Sequence, residues 1–258
     1  METRLLPRTG LTVGRLGMAA SYGVPAAAVE RAFERGVNYL YWGSMRRGAF
    51  GQALRNLKSQ RERMVLVLQS YTRIAALAAP SVEIALRRLR FDYADVLLLG
   101  LWNHTPSPRI FDACRKLRDR GLIRHIAVST HHRPLVSQLS ADPAIGIVHV
   151  RYNAIHKGAE REVFPLLGTG GNRLGAVAFT ATSWRQLMDA KRMPPGERLP
   201  TAADCYRFVL SNPAVDVCMS GPADEAQANS ALQALDLGPM SGDELAWMRR
   251  VGDFIHKH

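Results

Sequence analysis

The residues best equipped for chemistry fall in a few short stretches, each following an apolar run. The first is NYLYWGSMRRG, residues 38–48, where three aromatics and two arginines come directly after what reads as a buried strand. A second is VHVRYN, residues 148–153, in which strand parity turns His149 and Arg151 to the same side. A guanidinium with no carboxylate close in sequence recruits an anion, or else pairs with a remote Asp or a backbone carbonyl. Trp42, Trp102 with its neighbour Asn103, and Trp184 stand at or just past strand ends, which suits an aromatic-walled cleft for an apolar or planar ligand. His104, His131, His132 and His149 could gather a metal, but no carboxylate accompanies them, and adjacent histidines rarely aim both rings at one point. They read as rim residues, with His149 a hydrogen-bonded pocket residue, and no metal is expected.

Side chains spaced this way need a scaffold that gathers many strand ends. Eight β-rich apolar runs, residues 15–21, 37–42, 64–70, 94–102, 124–130, 145–153, 174–181 and 215–220, alternate with longer amphipathic segments. The alternation predicts βα units, and their number predicts a closed α/β barrel, the (β/α)8 TIM barrel. Helix signals fall between the strands. PAAAVERAFERG stops at Gly36, SPRIFDACRKLRDRG opens on Ser107 as N-cap with Pro108 in the first turn, and TAADCYRFVLSN sets Thr201 three residues before Asp204. SGDELAWMRRVGDFI, with Ser241 and Glu244 as a capping box, predicts an extra C-terminal helix, and residues 1–13 read as a hairpin plug with Thr9 and Gly10 near its turn. Residues 1–258 thus read as one barrel domain, with function at the C-terminal ends of its strands.

Composition narrows the classes. A chain of 258 residues, 47% apolar, can bury a large core. No apolar run reaches the roughly 20 residues of a membrane span, and METRLLPRTG holds no signal-peptide core, so a cytoplasmic protein without a membrane partner is expected. Cys114, Cys205 and Cys218 match no metal or redox spacing and read as buried reduced thiols. The net charge of +12 raises the question of nucleic acid, yet the basic residues are spread through nearly every helix instead of massed in a stripe. The expected partner is a small-molecule ligand, anionic where Arg151 is left to receive it.

RTGLTVGRLG, GVNYLYWG, ALRRLRFDYADVLLL (residues 85–99), KLRDRGLIRHIAVST (116–130), VHVRYN, GAVAFTA and FVLSNPAVDVCMSGPADEAQANSALQAL (208–235) resemble, in that order, the aldo-keto reductase family. The resemblance covers nearly the whole chain. It implies carbonyl reduction with NADPH, in which a Tyr donates a proton, a Lys paired with an Asp lowers its pKa, and a His orients the carbonyl. Carried over position by position, all four are replaced: Tyr41 stands for the Asp, Arg46 for the Tyr, Gln69 for the Lys and Gly100 for the His. Tyr41 is the one plausible phenolic donor at these positions, and an arginine cannot relay a proton at neutral pH. A large ring at Tyr41 and a missing side chain at Gly100 read as an exchange of volume, which either repacks an abandoned site or reshapes a working one.

On the cofactor side the resemblance places Ser129 at the nicotinamide carboxamide, Thr130 in place of an Asn, His149 in place of a Gln, Phe179 in place of a stacking Tyr, and Thr180 to Ser183 along the pyrophosphate. The basic and Asn positions that would hold the adenosine 2′-phosphate and adenine fall on Ala223, Gln227 and Ala231. A lost arginine–phosphate bond forfeits roughly 1.5–3 kcal/mol, so NADP(H) or NAD(H) is expected to bind more weakly than in the family at large. Residues 185–200 read as a lid or as a passive linker. Two functions stay open: an atypical NAD(P)(H)-linked oxidoreductase for a small carbonyl or related substrate, and a catalytically inactive nucleotide- or anion-binding or regulatory protein.

Overall fold

The computed structural model describes residues 3–43 and 47–257. An antiparallel hairpin, β1 (Thr3–Leu6) and β2 (Leu11–Gly14), precedes eight parallel strands: β3 (Leu16–Ala19), β4 (Tyr39–Trp42), β5 (Val65–Ser70), β6 (Ala94–Leu99), β7 (Ile123–Thr130), β8 (Ile145–Arg151), β9 (Gly175–Phe179) and β10 (Val217–Ser220). Helices α1 (Ala26–Glu34), α2 (Gly48–Asn56), α3 (Ala75–Leu89), α4 (Pro108–Asp119), α5 (Leu135–Ala141), α6 (Ala159–Glu162) and α7 (Ala202–Leu210) follow β3 to β9 in turn. After β10 come α8 (Glu225–Leu237) and the extra α9 (Gly242–Lys257). The strands close on themselves, β10 pairing β3 on one side and β9 on the other. This is the (β/α)8 barrel that the strand–helix alternation predicts.

The period of two sorts each strand into two layers. Tyr39, Tyr41, Val65, Val67, Val96, Leu98, Ala127, Ile147, Val177 and Met219 pack inside the barrel. Leu40, Trp42, Leu66, Leu68, Leu97, Leu99, Val128 and Val148 face the helices. Leu6 and Val13 of the hairpin join the inner layer, so the hairpin closes one end of the barrel as its apolar pattern predicts.

The caps follow the sequence with one exception. Gly36 and Val37 donate their N–H groups to Phe33 and Ala32 carbonyls, ending α1, and the pairs Thr201/Asp204 and Ser241/Glu244 exchange reciprocal bonds. The Ser107 hydroxyl makes no cap bond; Pro108, with its preset φ, starts α4 without it. Every barrel strand but β7 is shorter than its apolar run, and β3, β6, β8 and β9 lose residues at the C-terminal end. A tight turn at Ala20–Tyr22 follows β3, β8 stops at Arg151, and β6 stops at Leu99 because Leu101 takes φ +51° and gives its N–H to Ser129 Oγ at 2.8 Å.

Candidate functional site

A cavity of about 750 Å³ opens where the strands end, and it receives side chains from nearly every strand tip. Tyr41, Gln69, Leu98, Ser129, His149 and Met219 come from the barrel interior, while Tyr22, Tyr71, Leu101 and Trp184 are exposed at the rim. The cavity continues past Phe179 and Tyr206 to Gln227 and Ser230 of α8. Among the described residues Arg185 is the one arginine on its wall, and no lysine, aspartate or glutamate joins it.

Tyr41 reaches the cavity with its ring lying over Gly43, where a Cβ would stand 2.6 Å from its Cζ and Oη. Burial first, and the adjoining Tyr71 hydroxyl second, push the Tyr41 phenol above its ordinary value; Arg47 opposes this only in part. Tyr41 is therefore a neutral hydrogen-bonding group and a poor acid. Gly100 faces the cavity end of β5, and a Cβ there would come within 2.7 Å of the Tyr71 ring and still nearer to Gln69 Nε2. The expected exchange of volume is thus corrected: Tyr71 and Gln69 fill the space at Gly100, while Tyr41 leans on Gly43. Arg46 lies outside the described residues.

His149 makes its bond below the cavity, where Tyr39 Oη lies 2.9 Å from Nε2. Burial pushes its pKa down to about 3, so the imidazole is neutral. Ser129 lines the wall while its oxygens accept the N–H groups of Leu101 and Trp102, both at 2.8 Å. Phe179 and Thr180 also line the wall, and Asn153 Nδ2 holds the Thr180 carbonyl at 2.8 Å. Thr180, Ser183, Trp184 and Arg185 all have positive φ, a strained run in which each residue costs roughly 1–3 kcal/mol. Ser183 is buried within this run, and its Oγ has no partner among the described residues.

Four expected pocket residues and two expected cofactor contacts, Thr130 and the buried Ser183, lie off the cavity wall. Trp42 sits outside the barrel because Tyr41 is inside; it donates Nε1–H to the Arg47 carbonyl at 3.2 Å and lies under the Arg47 guanidinium. Trp102 is buried in the same outer layer beneath Arg73, whose guanidinium stands 3.9 Å from the ring centroid. Asn103 is exposed and accepts the His131 N–H at 3.2 Å, and Thr130 Oγ1 closes the next turn by accepting the His132 N–H at 2.9 Å. Arg151 ends β8 opposite Phe179 and is absent from the cavity wall. Of the three expected tryptophans Trp184 alone is on the wall, whose other aromatics are Tyr22, Tyr41, Tyr71, Phe179 and Tyr206. Tyr71 and Met219 were legible only as continuations of the inward parity of Gln69 and Val217.

Beyond Trp184 the chain turns twice, at Gln186–Met188 and Ala190–Arg192, and then anchors on Arg198, which pairs with Asp204 and stacks 3.6 Å from the Trp247 ring centroid. Among the described residues no three His, Cys, Asp or Glu side chains are grouped to hold a metal, and no helix is long and apolar enough to cross a membrane.

The sequence model described as the aldo/keto reductase family matches residues 19–185. The fold is shared with the holo form of aldo-keto reductase AKR11C1 from Bacillus halodurans, at a TM-score of 0.80 and 20% identity over 97% of this chain and 96% of that one. It is shared also with an aldo/keto reductase from Klebsiella pneumoniae in complex with NADP and acetate, at a TM-score of 0.79 and 23% identity over 95% of this chain and 93% of that one.

Proposed function

The chain belongs to the aldo/keto reductase family, and on that premise we propose that its barrel mouth binds a nicotinamide dinucleotide, NAD(H) in preference to NADP(H), without tyrosine-driven carbonyl reduction. The observation that carries this reading is the chemistry of the wall, which is aromatic, hydrogen-bonding and almost uncharged.

The nicotinamide end fits. Phe179 offers a ring face, Ser129 an adjacent hydroxyl, and the cavity runs on to Gln227 and Ser230, long enough for an extended ligand. The Thr182 side chain and the Arg185 cation line the wall on the strained run to which the resemblance assigns the pyrophosphate, with Ser183 buried behind them. The fit ends at the 2′-phosphate. Asp224 Oδ1 accepts the Gln227 N–H at 2.8 Å, its Oδ2 accepts Gln227 Nε2 at 2.9 Å, and Gln227 Oε1 accepts the Ala223 N–H at 3.1 Å. The start of α8 thereby spends the Ala223 and Gln227 N–H groups and the Gln227 amide on its own side chains, and it adds the Asp224 carboxylate beside a Glu225 paired with Arg31. A phosphate meets the like charge of Asp224 there, whereas a free ribose hydroxyl can donate to that carboxylate.

A bound dinucleotide would supply hydride chemistry, but the chain offers no tuned acid beside it. Tyr41 is held as a neutral phenol, His149 is neutral and engaged by Tyr39, and no lysine is on the wall. This favours a binding or sensing role over reduction. Trp184, 57% exposed at the rim, is the reporter for the test. Fluorescence titration should show saturable NADH binding and NADPH weaker by roughly tenfold, about 1.4 kcal/mol. No saturation by either at millimolar concentration overturns the dinucleotide, equal affinity overturns the preference, and carbonyl turnover abolished by Tyr41→Phe overturns the non-catalytic role.

A further inference from the structure

We propose that Arg151, Arg133, His131 and His156 form a second binding site, outside the cavity at the ends of β7 and β8, for an oxyanion such as a phosphate or carboxylate group. Arg151 is paired across the sheet with Phe179, and the Phe179 ring is met edge-on by His131 at a centroid distance of 5.4 Å. From the loop after β8, Asn153 Oδ1 accepts the His156 N–H at 2.8 Å and lies 3.2 Å from its ring Nδ1, which fixes that imidazole. Arg133 lies across the same loop at Gly158, where a Cβ would come within 2.7 Å of Nη2 and nearer still to the rest of the guanidinium. A Cβ at position 158 would push that guanidinium aside.

The charges of this group are unbalanced. Arg133 acts on Arg151, both arginines act on His156, and Arg151 acts on His131 as well. Of the nearby acids, Glu162 pairs with Arg133 within the group at 2.8 Å and so leaves Arg151 as its uncompensated cation, while Glu160 is engaged by Arg249 at 2.6 Å and by Tyr152, and Asp253 by Lys157. Among the described residues Arg151 has neither a carboxylate nor a hydrogen-bonding carbonyl, although it is partly buried. A partly desolvated guanidinium beside a second one is an unfavourable arrangement that an oxyanion relieves, and its planar fork matches two oxygens at once. The imidazoles add donors, or cations when protonated. The site stands independently of the dinucleotide reading, which uses the cavity wall.

Sulfate, titrated against chloride at constant ionic strength, is the probe, followed by amide 15N shifts. The expected result is saturable change at residues 131–133 and 151–158, weakened at least tenfold by Arg151→Gln and unaltered by Arg115→Gln at an exposed surface pair. Where Arg151→Gln does not fold, Arg151→Lys keeps the charge but loses the fork and should bind sulfate several-fold more weakly. Unsaturable shifts spread over surface arginines, saturable shifts confined to residues 180–185, or wild-type affinity in the Arg151 variant that folds would each overturn the site.

Discussion

Tyr39 Oη and His149 Nε2 lie 2.9 Å apart in the barrel interior, where His149 forms part of the cavity wall and Tyr39 lies behind it, and both side chains are buried. The pair satisfies two buried polar groups against each other. Burial holds the imidazole neutral, with a pKa near 3, and drives the phenol of Tyr39 above its ordinary value. The base of the cavity is consequently polar but uncharged. A ligand resting on it meets hydrogen-bonding groups with no fixed charge, in a protein whose net charge is +12.

The first prediction concerns acid stability. His149 titrates near 3, and His125 and His156 near 4, all lowered first by burial from an ordinary value of 6.5. Below pH 6.5 the unfolded chain therefore binds protons that the folded chain refuses, and stability falls as pH drops toward the folded values. Urea unfolding at stepped pH should show this loss, with His149→Gln reducing the slope by up to about 1.4 kcal/mol per pH unit. An unchanged slope in that variant would show that His149 is not held neutral.

How much of this was legible in the sequence depends on which rule governed each residue. The period of two is a backbone property, and it turns Tyr41 and His149 to the cavity wall, where the resemblance sets Gln69, Ser129 and Phe179; Arg151, of the same parity as His149, is absent from that wall. The same rule places Trp42 outside once Tyr41 is inside; reading the tryptophan by its type and its place at a strand end obscured that. The role of Tyr71 depends on its contact with Gly100, a residue of another strand's loop, and no local pattern announces it. The self-capped start of α8 was written in the spacing of Asp224 and Gln227, but the competition between capping and phosphate binding needed the observed bonds.

Tyr41 should not ionise near neutrality or at the ordinary phenol value of 10.0, since burial and Tyr71 both raise it. An ultraviolet difference titration between wild type and Tyr41→Phe should show no tyrosinate from this residue at that pH. A tyrosinate signal in the neutral range would instead mean that an undetected cation activates the phenol, and would restore it as an acid.

Arg207 joins α7 to α9 through Glu244, with Nη1 and Nη2 at 2.7 and 2.8 Å from the two carboxylate oxygens. The arginine is buried and the glutamate about one-third exposed, at 33%. Glu244→Gln halves the charge-assisted pairing yet leaves Arg207 its carbonyl partners at Gly238 and Pro239. The expected loss is about 1–2 kcal/mol, discounted for that exposure. Calorimetric unfolding checks it, and wild-type stability would show that the carbonyls alone fix α9.

Two glycines separate a yielding close approach from an unyielding one. At Gly100 the atoms a new Cβ would meet belong to the ends of the Gln69 and Tyr71 side chains, and Tyr71 is 53% exposed, so it can swing aside. At Gly252 of α9 the nearest atoms are the backbone carbonyl of Ala154, which cannot move without displacing the loop after β8. Gly100→Ala should therefore cost about 1 kcal/mol and Gly252→Ala about 3 kcal/mol, the lower and upper parts of the overpacking range. Because Tyr71 lines the cavity, the milder variant should also change NADH affinity, while Gly252→Ala should lose stability with its affinity intact wherever it remains folded. Equal destabilisation by the two, measured by denaturant unfolding, would mean that Tyr71 is as firmly fixed as the backbone and that the rim on this side of the cavity does not yield.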